Sequence, residues 1–237
     1  MNHIACSNFT MLWRYRQMNN KQFCFIMCSN NIQYENECIK YINSLEIPTE
    51  YSIDIKVIRD AVSMTSGYNR AMLMSDAKYK IYLHHDTFII NKRFLYDLLE
   101  QFKNPNTGMV GVVGTPRLAN TCVMWFGHRV GKLLYNCIYN TTNSVIGEIT
   151  IPTKVEAVDG FLMATQYDIR WREDIFTGWD FYDISQSFEF RKAGYDIIVP
   201  PADTPWCFHD DGILDMSSYY ETRKIFMQEY KDMLHIS

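Results

Sequence analysis

An α/β fold with a mostly parallel central sheet flanked by helices is predicted by three features of this sequence. From Lys21 onward short apolar runs alternate with amphipathic ones, the pattern of successive βα units. One run, Lys80-Ile81-Tyr82-Leu83-His84-His85-Asp86-Thr87, ends in a carboxylate, and open α/β sheets place their ligand chemistry at the carboxyl ends of strands. With 237 residues, 47% of them hydrophobic, the chain has the length for one buried core at the upper end of single-domain size.

The elements can be read in order. Gln22 to Cys28 is a strand, Tyr34 to Leu45 a helix with Cys38, Ile42 and Leu45 on one face, and Ile53 to Arg59 a second strand. Thr65 to Ser75 is helical, and Ile81 to His84 is the third strand. A helix over Asn91 to Phe102 is started by an Asn cap, and after the turn residues Asn104-Pro105-Asn106 a fourth strand covers Met109 to Val113. Residues 115 to 154, with Asn, Thr and Gly scattered among aromatics, read as an irregular insertion over one edge of the site. Val155 to Met163 returns as one strand. Asp183 to Ala193 is a helix closed by Gly194, and Asp196 to Val199 is a strand stopped by Pro200-Pro201. A polar helix over Asp215 to Leu234 ends the chain. The predicted division is an extension over 1–20, one α/β domain over 21–212 and a helical tail over 213–237.

Composition excludes some functions. A formal net charge of −4, with few local clusters of Lys and Arg, argues against a nucleic-acid binder held by phosphate neutralisation. Apolar runs such as Phe23 to Cys28 and Met109 to Val113 are far short of the roughly 20 residues that span a bilayer. The N-terminus has no apolar core of a secretory signal, so a cytoplasmic location is expected, with any membrane association peripheral, at the inner face. Seven cysteines without a C-x-x-C pair suit reduced core thiols rather than a structural zinc site.

The candidate chemistry lies at predicted strand and helix ends, each with a structural alternative. On a strand alternate side chains share a face, so His84 and Asp86 project together while His85 points away, and such a pair can hold Mg²⁺ or Mn²⁺ against a diphosphate; Asp86 could equally cap a turn. Asp60, followed by Ser66, Gly67 and Asn69 at a helix start, suits a nucleotide or an ordinary capped βα loop. Asp183, with Gln186 three residues on, is a base candidate or a capping box. Asp159-Gly160 and Trp179-Asp180 would gather carboxylates and an aromatic ring where a polar substrate binds. His209, ahead of Asp210 and Asp211, is a metal ligand or a solvated imidazole. Trp125, Trp179 and Trp206 are candidates to lie on sugar faces, while most aromatics are read as core.

Taken together, FCFIMCSNN, VIRDAVSMTSGYNRAM, IYLHHDTFIINKRF, VDGFLMAT and FYDISQSFEFRKAGYDIIVP resemble, in this order, the family 2-like glycosyltransferases of GT-A fold, most closely the streptomycin-biosynthesis StrF-like subgroup. The resemblance covers about residues 21–212 and implies the nucleotide-diphospho-sugar transferase fold. It implies transfer of a sugar from a nucleoside diphosphate donor to an acceptor hydroxyl, on a glycan, a lipid-linked glycan or a small molecule, with inversion and with Mn²⁺ or Mg²⁺. By position Asp60 resembles the nucleotide-binding acid, Asp86 the last acid of a D-x-D metal motif, His209 a late metal-ligating histidine and Asp183 the base, which in the family precedes a glycine as Asp183 precedes Gly194. Ser66, Gly67, Asn69 and His84 would join Asp60 at the donor, and Asp159, Gly160, Trp179 and Asp180 would meet the acceptor.

Two positions depart from the family pattern: His84 stands at the first acid of D-x-D, and Tyr182 stands where many members have Glu. An imidazole at the cation shifts preference from Mg²⁺ toward Mn²⁺ or a later metal. A sugar-1-phosphate nucleotidyltransferase is a competing reading, although Ser29-Asn30-Asn31-Ile32-Gln33 lacks the glycine and the basic residue that grip a triphosphate. A non-catalytic nucleotide-sugar binder is another.

Overall fold

Strand β1 (Asn19–Cys28) has six consecutive buried residues, Phe23 to Cys28, because it is flanked on both edges and covered on both faces. Strands β2 (Ser52–Ile58) and β3 (Ala77–Leu83) pair with it in parallel, one on each edge. Phe23, Phe25 and Met27 enter one core cluster, whereas Cys24, Ile26 and Cys28 enter another. An uninterrupted apolar run is what a doubly covered parallel strand requires. The computed structural model describes residues 18–137, 140–212 and 215–235. Of the expected extension 1–20, residues 1–17 lie outside these, and β1 begins within its last two.

Helix α1 (Ile32–Asn43) starts at Asn31, whose side chain accepts from the Gln33 and Tyr34 amides, and it buries Cys38 and Ile42. Helix α2 (Met64–Leu73) starts with a capping box between Ser63 and Ser66. Helix α3 (Phe94–Phe102) follows strand β4 (Thr87–Ile89) and buries Phe94, Leu95, Leu98 and Phe102. It begins three residues later than expected, because Asn91 uses its side chain on the Arg93 amide and on Asp97.

After β5 (Thr107–Gly111) and β6 (Val113–Thr115), the segment expected to be irregular contains the antiparallel pair β7 (Val130–Cys137) and β8 (Asn140–Gly147). Its polar sequence hid the strands, since β8 is paired only with β7 among the described residues and an edge strand tolerates polar residues. The single strand expected over Val155 to Met163 is also broken. Short β9 (Thr153–Lys154) and β10 (Ala157–Val158) precede β11 (Leu162–Thr165), and at Asp159-Gly160 the chain crosses from one sheet to another.

The remaining elements are α4 (Tyr182–Lys192), β12 (Asp196–Val199), β13 (Cys207–Gly212) and α5 (Tyr219–Glu229). The central sheet has the order β2-β1-β3-β11-β5-β12-β9. Strands β2, β1, β3, β5 and β12 share one direction, and β11 runs against both its neighbours in the middle. A second sheet has the order β10-β6-β7-β13-β4. The α/β architecture expected from the alternating runs is therefore present as a mixed sheet. The tail helix is shorter than its periodicity suggested, and it is docked: Tyr219, Phe226 and Tyr230 pack on Phe181 and Phe188 in a third core cluster. No helix among the described residues is long and apolar enough to cross a membrane.

Candidate functional site

Three neighbouring strands deliver their carboxyl ends to one cavity of about 320 Å³, within the size range of small-molecule sites. Ser29 and Asn30 follow β1, Arg59 and Ala61 follow β2, and His84, His85 and Asp86 follow β3; Trp179 forms part of the wall. Arg59 reaches solvent, and its guanidinium is paired with Glu35, a buried carboxylate of α1. That bond holds Glu35 below the ordinary range of a glutamate, against the effect of its burial.

Strand β3 ends at Leu83, so His84 and Asp86 are brought together by a turn instead of by strand alternation. The Thr87 amide closes it on the His84 carbonyl at 3.2 Å, and the His84 amide donates to the Phe161 carbonyl at 3.0 Å. His84 Nδ1 lies 3.8 Å from Asp86 Oδ1. The third member comes from β13, which pairs with β4 so that His209 stands opposite Thr87. His209 Nε2 is 3.4 Å from Asp86 Oδ1, and its buried ring stacks on Phe161 with centroids 5.1 Å apart.

Ligand atoms of His84, Asp86 and His209 all lie within 4.8 Å of one another. Buried Asp86 Oδ1 and His209 Nε2 have no hydrogen-bond partner among the described residues. Buried polar atoms are rarely left so, and two imidazoles with one carboxylate form a donor set that fits a divalent cation. Burial would raise the Asp86 carboxyl, but the adjoining imidazoles outweigh it and hold it at about 2. Burial lowers His84 to about 4, so this ring is neutral and able to ligate.

Asp183 lies in the first turn of α4 and does not cap it. Phe181, in the left-handed conformation at φ 59°, takes the cap position, and Gln186 donates instead to the Ile169 carbonyl, so no capping box forms. Asp183 Oδ2 accepts from the Gly160 amide at 3.0 Å. A Cβ on Gly160 would stand 2.1 Å from the Tyr182 hydroxyl and 2.9 Å from the Asp183 Cβ, so only glycine admits this approach. Burial, reinforced by the charge of nearby Asp159, pushes Asp183 up to about 7. Burial also raises Asp159. A carboxylate titrating near neutrality is suited to accept a proton. The Tyr182 hydroxyl pairs with His84 Nε2 and so ties this helix to the cation-fitting cluster.

Other expected contacts are placed elsewhere. Asp60 is exposed and ion-paired with Arg70, and it does not line the cavity although both its sequence neighbours do. Ser66 serves the capping box, and Gly67 lets α2 approach β1, since a Cβ there would lie 2.4 Å from Cys28 Sγ. The buried Asn69 side chain clamps both the amide and the carbonyl of Trp171, at 2.9 Å each. These three residues expected at a donor are therefore occupied in holding α2. Asp180 accepts from Ser218. Trp206 is buried against Phe94, so it is core, whereas Trp125 and Trp179 are exposed.

Arg59, Glu35, His85 and Tyr182 were missed as site residues. His85 does turn away, onto Tyr34 with ring centroids 5.7 Å apart, yet it lines the cavity. Arg59 could have been found as the residue that ends the predicted second strand. Glu35 gave no signal, because a carboxylate in a helix reads as solvated.

A glycosyltransferase-like family model matches residues 24–230, and the chain belongs to that family. Its fold is similar to that of S. aureus TarS, with a TM-score of 0.58 at 10% identity over 91% of this chain and 41% of that one. It is also similar to a shorter TarS structure, residues 1–349 in complex with UDP-GlcNAc, with a TM-score of 0.57 at 10% identity over 91% and 67% of the two chains. A mannosyltransferase from Pyrobaculum calidifontis, in complex with GDP-Man and Mn²⁺, is similar with a TM-score of 0.52 at 12% identity over 95% and 69%. The chain thus spans less than half of that first TarS chain. No match was found among curated protein sequences.

Proposed function

We propose that this chain transfers a sugar from a nucleoside diphosphate to an acceptor hydroxyl, with inversion at the anomeric carbon. The observation that carries the reading is the link between two groups of opposite function, the His84, Asp86 and His209 cluster and the near-neutral Asp183, through the hydrogen bond of His84 to Tyr182. The TarS complex with UDP-GlcNAc and the mannosyltransferase complex with GDP-Man and Mn²⁺ support the donor class and the use of a cation.

The nucleoside diphosphate occupies the cavity, with Ser29, Asn30, Arg59 and His85 around it. His84, Asp86 and His209 hold a divalent cation, which when bound neutralises the charge that grows on a departing diphosphate. With two imidazoles in the set, Mn²⁺ is favoured over Mg²⁺. Asp183 accepts the proton of the acceptor hydroxyl as its oxygen bonds to the anomeric carbon and the bond from that carbon to the diphosphate oxygen breaks on the opposite face. The Gly160 amide keeps the Asp183 carboxylate oriented for this transfer. Protonated Asp183 then returns its proton to water.

The StrF-like subgroup belongs to the same reading, on the sequence motifs quoted above. A thermal-shift screen of nucleoside diphosphates and their sugars, with and without Mn²⁺, tests it. Stabilisation by a nucleoside diphosphate that Mn²⁺ strengthens is expected; no stabilisation by any nucleoside diphosphate refutes it.

A further inference from the structure

Helix α5 brings to the site a side chain that the proposed reaction does not use. Tyr219 is 6% exposed, and its hydroxyl is buried with no hydrogen-bond partner among the described residues. Such an orphan normally has a partner that is protein, water or ligand. The ring is fixed on both sides, 4.8 Å from Phe181 and 4.9 Å from Trp125 between centroids. Phe181 stands two residues before Asp183, and Ser218, the residue before Tyr219, donates to Asp180. The first turn of α5 is thereby clamped to the entry of the helix that bears the proposed base.

Asp183 and Asp180 both act on the Tyr219 phenol, and burial with these charges places its ionisation far above the ordinary tyrosine range. Tyr219 therefore stays a hydrogen-bond donor at every working pH. Trp125, which packs on Tyr219, is 40% exposed, and Phe126 beside it is 65% exposed. A half-exposed indole next to a buried donor offers an apolar face and a polar anchor, the combination that a pyranose ring, with its C–H face and its hydroxyl edge, can satisfy together.

We infer that Tyr219 and Trp125 form an acceptor subsite for a carbohydrate, with the acceptor ring on the Trp125 indole and one of its hydroxyls held by the Tyr219 hydroxyl within reach of Asp183. This rests on the glycosyltransferase reading and adds the class of acceptor. It gives the tail helix a role in acceptor choice while the donor stays with the strand ends.

The test is calorimetry on the full chain loaded with UDP or GDP, whichever the thermal-shift screen selects, and Mn²⁺, titrated with a panel of p-nitrophenyl hexopyranosides and with glycerol. At least one hexopyranoside should bind and glycerol should not. Tyr219→Phe, which keeps the ring packing, should weaken that glycoside roughly tenfold, the value of one buried hydrogen bond. Trp125→Ala should weaken it as well, while Tyr220→Phe at the exposed neighbouring ring should leave it unchanged. Unaltered glycoside affinity in Tyr219→Phe, or no glycoside binding by wild type loaded with nucleotide, overturns the inference. Failure of the wild type to bind any nucleoside diphosphate overturns instead the donor reading beneath it.

Discussion

His84 and Tyr182, the two positions where this chain departs from the pattern of the family it resembles, are hydrogen-bonded to each other. An acid at position 84 would carry charge to a cation, whereas an imidazole must be held in the right tautomer to ligate. The Tyr182 hydroxyl engages Nε2 and leaves Nδ1 facing Asp86 at 3.8 Å, so the tyrosine does for the histidine what an outer partner does for a ligating imidazole.

Tyr182→Phe is accordingly expected to weaken Mn²⁺ binding about 10-fold or more, the usual cost of losing such a partner. Calorimetric titration with Mn²⁺ in the presence of the nucleoside diphosphate reads it directly. Affinity equal to wild type would show that His84 is oriented without Tyr182.

Asp86→Ala removes the only carboxylate of the cluster and leaves two imidazoles. Nucleoside diphosphate binding that depends on Mn²⁺ should disappear, while the binding without Mn²⁺ should persist through the cavity residues. Equal Mn²⁺ dependence in variant and wild type would assign the cation to other residues.

Asp183 gives a pH prediction with a defined sign. As a base it must be ionised, so the rate should climb with pH and level off above about 7. Asp183→Asn should lower turnover about 10² to 10⁴-fold with donor affinity nearly intact. For stability the sense is reversed. The folded carboxyl titrates at about 7 against 3.8 in an ordinary aspartate, so its contribution is complete below about pH 4 and is lost as pH rises through 7. The neutral Asn should therefore give a variant with a higher Tm than wild type at pH 8 and a smaller advantage at pH 5. A wild-type advantage at pH 8 would mean that Asp183 is stabilised as an anion.

The sequence made much of this legible, and physical reasons separate what it concealed. Strand β1 announced itself because burial on both faces demands an unbroken apolar run. Asp86, His209 and Asp183 could be picked out as candidates because strand ends and helix starts are marked by local periodicity. The pairing of Asp60 was not legible, since an acid after a strand looks the same whether it meets a ribose or pairs, as here, with an arginine of α2 ten residues further on. β8 and the break at Asp159-Gly160 were hidden because pairing partners, not local pattern, decide them. Tyr219 could not be placed, because nothing in the sequence of α5 says which helix it packs on.

Gly160 is the residue on which the two halves of the site close. Its amide holds Asp183, and its missing side chain admits the Tyr182 ring, where a Cβ would lie 2.1 Å from the hydroxyl and 2.6 Å from Cζ. Tyr182 is buried and Phe181 before it is already in a left-handed conformation, so neither the ring nor the helix entry has room to yield. Gly160→Ala should cost roughly 1–3 kcal/mol, as overpacking of a filled core does, and lower Tm by several degrees, read by calorimetry. Because relief must move Tyr182 away from His84, the same variant should lose Mn²⁺ affinity together with turnover. A variant with lowered Tm and intact Mn²⁺ affinity would show that the strain is relieved elsewhere and that the junction of the two sheets does not couple the base to the cation ligands.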